Sequence, residues 1–310
     1  MKDRFDIRRR HFLLGAVTAL LLVAQFLAGP VGIVPLQAVG AVLFLAANAF
    51  LLSRVVNYFS TGINFAAPLL FTSVVLSFPG FLTYDAGLIS ALLLNLSMFC
   101  AMRFFSGEIS NDIIFLSTMF AGAASLFFPP LMWMLPALLL LDFAPAGDKG
   151  RYIAMAVSGF LLPLLFFEGY TFMTDGYREV LNRAGEYLSS CMAPNFGFAS
   201  TSAARAIKVL VLAVLFIAAA VSYFRNSSAY SVTHSRAAFM LLIYSVIMAV
   251  LLALFSSGNM LLNVTALAFP VTTVIYDYFT VSGTGRTGRA AFCFVLLAVV
   301  LEFLAHPLSL

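Results

Sequence analysis

The chain has 310 residues, 62% of them hydrophobic and 10% charged, whereas an ordinary soluble domain carries roughly 25% charged residues, so a water-soluble fold is excluded. Thirty-three Phe residues and a mean hydropathy of +1.02 leave more apolar surface than a globule of this size can hide, and lipid is the solvent that fits. The formal net charge of +4 comes from Lys and Arg in short loops, with no basic stripe interleaved with aromatics to follow a phosphate backbone, and no nucleic-acid partner is expected.

Lys2, Arg4, Arg8, Arg9 and Arg10 precede an apolar run at 12–28. The segment reads as an uncleaved signal anchor: the run is long for a secretory leader, and Phe26 suits poorly the third position before a cut after Ala28. Further apolar runs follow near 33–52, 65–79, 87–102, 113–128, 130–141, 152–168, 206–224, 237–256, 259–279 and 290–306. Together they predict an all-α, polytopic transmembrane helical bundle of about ten or eleven spans, forming a single transmembrane domain over 1–310.

The stretch 113–141 holds no charge but is interrupted by Pro129, Pro130 and Pro136. Two full spans need roughly forty residues, so it reads as two short tilted helices or a re-entrant hairpin. Either one returns the chain to its starting side. A single helix ranks last, because the Pro pair removes two backbone donors in mid-membrane.

The one sizeable loop, 170–204, falls on the predicted outer side. Within it Tyr177, Val180, Leu181, Ala184, Tyr187, Leu188 and Cys191 recur at helical spacing, opposite Arg178, Glu179, Asn182, Arg183 and Glu186. This predicts an amphipathic interfacial helix over about 174–191, with Glu179 and Arg183 as a favourable i,i+4 pair.

With the amino terminus in the cytoplasm, Arg54, Arg103, Lys149, Arg151, Arg225, Arg236, Arg286 and Arg289 fall on the same side. With the five leading cations they make thirteen of the seventeen Lys and Arg residues, the bias expected of cytoplasmic loops. An odd number of spans then places the carboxyl terminus outside.

Arg178, Arg183, Arg205 and Lys208 depart from this bias. As four cations near an outer leaflet they are candidate contacts for a lipid headgroup or another anion. Within the predicted spans, Glu302 with His306 at i,i+4, Asn95 and Asn263 form candidate intramembrane polar sites, since polar groups in hydrocarbon either pack helices together or do chemistry. Cys100, Cys191 and Cys293 lack disulfide or metal spacing, and Cys191 lies in the outer loop. His11, His234 and His306 are far apart, and no zinc, nucleophile-elbow or dinucleotide motif occurs. No metal or cofactor is expected.

Asn111 to Phe115, the small-residue run Gly122 to Pro130, and Leu138 to Leu141 resemble an uncharacterised family of polytopic inner-membrane proteins of the Bacteroidota type, and the likeness extends more loosely from Asn48 to about Gly169. The resemblance implies a class and a compartment rather than a reaction. Residues 111–141 also look like the helix, Phe/Pro turn and Leu-rich helix of membrane glycosyltransferases that use polyprenyl-phosphate sugars. Those enzymes carry an acid on a large first outer loop. Here the corresponding loop, 29–35, has none, so either the fold is shared without the chemistry or Asp85 or Asp175 takes that place.

Three readings follow. The preferred one is a non-catalytic subunit or scaffold of a cell-envelope assembly complex in the inner membrane, with membrane lipid and protein partners. The alternatives are a handler of a lipid-linked substrate, enzyme or flippase, and a proton-coupled small-solute transporter.

Overall fold

A computed structural model describes residues 15–16, 18–23, 35–57, 66–76, 86–105, 111–141, 149–192, 203–226, 232–255 and 260–281. Among them the secondary structure is entirely helical: α1 (Pro35–Asn57), α2 (Ala66–Leu76), α3 (Ala86–Phe105), α4 (Asn111–Phe127), a 3-10 helix (Pro129–Trp133), α5 (Met134–Leu141), α6 (Lys149–Asp175), α7 (Tyr177–Met192), α8 (Ala203–Asn226), α9 (Val232–Phe255) and α10 (Met260–Val281). The described residues of 12–28 are helical as well. The predicted run 290–306 lies outside the described residues.

Three apolar stretches among the described residues are long enough to cross a membrane: Gln37–Val56, Gly150–Thr174 and Ala238–Phe255. The others are shorter. α2, with 11 residues, reaches only about 16 Å at 1.5 Å per residue, against a hydrocarbon core of roughly 30 Å.

The helix ends follow local chemistry. Arg54, Arg103 and Arg225 occupy the last turns of α1, α3 and α8, and Asp112 the first turn of α4, each beside the helix pole of opposite sign. The Arg54 guanidinium also lies 5.1 Å above the exposed Phe50 ring. α6 continues seven residues beyond the predicted run that stops at 168, because Glu168 is followed by apolar Tyr170, Phe172 and Met173 and a lone carboxylate does not stop a helix. It ends at Gly176, whose φ of 86° lies in the left-handed region open to glycine.

The chain divides into two compact units. One comprises 85–199 and 246–266 and includes α3 to α7. Here the Pro pair breaks the helix as expected. Phe128, held extended by the proline after it (φ −140°, ψ 91°), donates its N–H to the Ala124 carbonyl at 3.1 Å, and Leu131 resumes the bonding with the Phe128 carbonyl at 3.0 Å. Leu139, near the end of α5, packs on the cluster of Ile113, Ile114, Ala156 and Cys100 at the start of α4. The stretch 113–141 is therefore a hairpin of two short helices, and the single-helix alternative is excluded.

α4 and α6 approach to backbone contact. A Cβ on Gly122 would fall on the Phe160 carbonyl oxygen, and one on Gly159 would meet the Phe115 carbonyl oxygen and Thr118 Oγ1. This is the small-residue packing that joins helices in lipid, where association gains little from excluding water. On the other side of α4, Ser117 Oγ donates to the Ser97 carbonyl at 2.9 Å and Ser90 Oγ to that of Ala124 at 3.0 Å, which sets the register of α3 against α4.

The other unit comprises 1–84, 200–245 and 267–310. Thr18 and Ser73 hydroxyls meet at 2.9 Å. The fully buried rings of Phe71 and Phe269 pack edge to face, 6.1 Å apart at 79°, beside a core of Leu70 and Ile275 to which Leu215 and Val271 add. The Tyr223 hydroxyl, 2.6 Å from the Ser235 carbonyl, donates to it and ties the end of α8 to the start of α9.

Candidate functional site

The polar features of the first unit converge where α7 folds back over the hairpin tip. Turning at Gly176 lays α7 against both α6 and the 3-10 helix. Its residues fall into three stripes. Val180, Ala184, Tyr187 and Cys191 are buried or half-buried against the protein; Tyr177, Leu181, Leu188 and Met192 form an exposed apolar stripe; Arg178, Asn182, Glu186 and Ser189 form an exposed polar one. An interfacial helix needs this arrangement when one flank meets protein, since the remaining apolar stripe faces hydrocarbon and the polar stripe faces water.

Three contacts fasten α7. The Trp133 indole Nε1 donates to the Cys191 carbonyl at 3.1 Å, and the Cys191 thiol donates to the Pro129 carbonyl at 3.1 Å. Nearer the bend, Arg183 Nη1 donates to Thr171 Oγ1 at 3.3 Å while its Nε pairs with Glu179 at 3.3 Å. The ion pair is half-exposed and contributes at most about 1 kcal/mol. The Cys191 thiol, placed by its spacing on the amphipathic helix within the outer loop, lies in the last turn of that helix and is buried, and burial pushes it above the usual thiol range. Trp133→Phe is expected to loosen this end of α7 and raise the rate at which Cys191 reacts with a maleimide by roughly tenfold, a loss of about 1.4 kcal/mol of protection. A quantitative labelling time course checks it.

Tyr187 lies one turn before Cys191. Its hydroxyl is near enough to Ser125 for that dipole to favour ionisation, yet it completes no hydrogen bond of normal geometry. Burial dominates, with a smaller push from Cys191, and holds the phenol at about 12. An unfolded chain releases this proton first, near its ordinary value of 10, so folded stability is unaffected below that pH and falls as pH rises from 10 towards 12. Tyr187→Phe should remove this part of the alkaline sensitivity while leaving stability at neutral pH unchanged or higher, because an unbonded hydroxyl disappears. Detergent melting curves at neutral and alkaline pH measure both.

Of the expected site residues, Arg178 and Arg183 share α7, with Arg178 on the exposed polar edge and Arg183 engaged with Glu179 and Thr171. Arg205 and Lys208 belong to the first two turns of α8, in the other unit. Asn95 is fully buried on α3, and Asn263 belongs to the first turn of α10. Glu302 and His306 lie outside the described residues. Asn48, read as a packing residue, donates from Nδ2 to the Phe44 carbonyl of its own helix at 2.8 Å. Among the described residues no group of three His, Cys, Asp or Glu side chains is placed to hold a metal ion. Reasoning from sequence missed Glu168 and Tyr187, whose Oε2 and hydroxyl are buried without hydrogen-bond partners. The available signal was their spacing around the bend, each one turn beyond Thr171 or Arg183.

Fold and site together define an all-helical protein with segments suited to membrane insertion and a polar junction at one end of its short hairpin. A family model described as a family of unknown function (DUF6427) matches residues 10–308, and the chain belongs to that family. No curated protein and no solved structure matches it.

Proposed function

We propose that the chain is a multi-pass inner-membrane protein, its amino terminus cytoplasmic and its carboxyl terminus outside, that serves as a non-catalytic subunit or scaffold of a cell-envelope assembly complex. The observation that carries this reading is α7 itself: a helix pinned at both ends to the hairpin and α6, presenting Arg178, Asn182, Glu186 and Ser189 as a fixed polar stripe. Ordering such a stripe before an encounter lowers the entropic cost of docking a partner. The orientation is supported by Lys149 and Arg151, which begin α6 although the macrodipole disfavours cations at that end; a cytoplasmic charge bias accounts for them.

A photo-crosslinking residue at Asn182 tests the role in living cells. The reading expects one defined protein adduct, reduced several-fold by Glu186→Lys. A chain that performs a complete reaction alone in liposomes would overturn it.

A second reading, a handler of a lipid-linked substrate, is favoured by two buried polar atoms without hydrogen-bond partners, Glu168 Oε2 and the Tyr187 hydroxyl. In it Arg178, Arg183, Arg205 and Lys208 contact the anionic part of the lipid. It expects Arg205→Ala to abolish binding of an anionic polyprenyl lipid, and unchanged binding removes it.

A further inference from the structure

Pro129 and Pro130 do more to α4 than end it. A helical carbonyl accepts from the N–H four residues on, and proline has no N–H, so the Ser125 and Leu126 carbonyls lose their donors in succession. The N–H groups on either side of the proline pair are engaged elsewhere. Phe128 donates to the Ala124 carbonyl at 3.1 Å and Leu131 to the Phe128 carbonyl at 3.0 Å, which leaves the Phe127 carbonyl unmet as well. Among the described residues no donor reaches any of the three.

These carbonyls form the negative pole of α4. Ser125 is fully buried, and its Oγ gives its proton to the Gly122 carbonyl at 2.7 Å, which leaves that oxygen able to accept. Beside Ser125 stands the Tyr187 hydroxyl, shut away from solvent and completing no hydrogen bond. A phenol can donate as well as accept, but its oxygen keeps a lone pair whichever way the proton turns. Backbone acceptors unmet in an apolar setting are costly unless something completes them.

The oxygens select the ligand. Two carbonyls, an alcohol and a phenol carry no formal charge. Ca2+ draws on carboxylates, and Mg2+ gives up its water reluctantly. A monovalent ion demands less, and unwound carbonyls at the C-terminal end of a broken helix suit it. We propose that the break between α4 and the 3-10 helix binds a partly dehydrated monovalent cation, Na+ or K+, through the Ser125 and Leu126 carbonyls, the Ser125 hydroxyl and the Tyr187 phenol. α7 supplies the phenol. One turn beyond Tyr187, the Cys191 thiol donates to the Pro129 carbonyl and the Cys191 carbonyl accepts from Trp133, so the ion and the docking of α7 reinforce each other. This inference goes beyond the scaffold reading and does not depend on it.

Trp133, the sole tryptophan of the sequence, closes the 3-10 helix that begins at Pro129, and its emission reports the break. The purified full chain in phosphatidylcholine nanodiscs would be titrated with sodium chloride and, separately, with potassium chloride, while choline chloride holds the ionic strength constant. A saturable change in emission is expected with at least one of the two ions, and the lower half-saturating concentration identifies the preferred one. Tyr187→Phe and Ser125→Ala, which keep the packing, should each raise that concentration several-fold. Pro129→Ala returns an N–H to the Ser125 carbonyl and should abolish the response, whereas Glu186→Gln on the exposed stripe of α7 should leave it unchanged. The preferred ion should also raise the unfolding temperature of the wild type, so the gain expected from Tyr187→Phe at neutral pH belongs to choline chloride and reverses in that ion. Emission and unfolding temperature that fail to distinguish sodium and potassium from choline would overturn the proposal. Equal half-saturating concentrations in wild type, Tyr187→Phe and Pro129→Ala would overturn it too.

Discussion

Gly122→Ala and Gly159→Ala are each expected to lower the stability of the chain by about 2 kcal/mol, although both put a better helix former into a helix. A methyl forced into a packed contact costs roughly 1 to 3 kcal/mol, towards the upper end where it meets backbone that cannot rotate aside. The alanine's helix preference offsets about 1 kcal/mol of this. At Gly122 the obstacle is the Phe160 carbonyl; at Gly159 it is the Phe115 carbonyl and the Thr118 hydroxyl. Larger residues at either position should separate α4 from α6 and prevent folding. Gly169 and Gly185 supply the control: both are helical with nothing within 4 Å of the added carbon, so alanine there should raise stability by about 0.5 to 1 kcal/mol. Thermal unfolding of the four variants in one detergent tests the sign at each position.

Truncating the buried aromatic pair of the other unit should cost more. Phe71→Ala and Phe269→Ala each remove a fully buried ring, and such truncations destabilise by roughly 3 to 5 kcal/mol where the surroundings cannot collapse. Because the rings meet edge to face at 6.1 Å, a double-mutant cycle should reveal about 0.5 to 1.5 kcal/mol of coupling. Strict additivity would deny the contact.

Helix existence was legible in the sequence because apolarity and breakers act locally. Pro129 and Pro130 were enough to predict the hairpin, and the spacing from Tyr177 to Cys191 was enough to predict α7. The end of α6 was not legible, since a run scored by apolarity stops at Glu168, whereas a helix needs only bonded backbone and ends where Gly176 allows a left-handed turn. The contact of α4 with α6 was hidden for a different reason. Gly122 and Gly159 stand 37 positions apart, and nothing local distinguishes a glycine pressed against another backbone from one facing open space.

The site was the least legible part. Cations that break a charge bias draw attention, so Arg178 and Arg183 were singled out, yet Arg183 spends donors on Glu179 and Thr171. The groups left unsatisfied are Glu168 and Tyr187, a carboxylate and a phenol that look ordinary in the sequence. Both atoms leave water only once the chain has packed. A sequence shows which groups are polar; only packing shows which of them go without a partner.

The proposed placement of α6 across the membrane, with Lys149 and Arg151 in the cytoplasm and α7 on the opposite face, underlies the roles proposed above. Single-cysteine variants Asn182→Cys and Arg151→Cys, each made after replacing Cys100, Cys191 and Cys293 by serine or alanine, would be treated in intact cells with a membrane-impermeant maleimide. Labelling at 182 in intact cells and at 151 only after permeabilisation is the predicted result. Labelling of both positions in intact cells, or the reverse pattern, would contradict it.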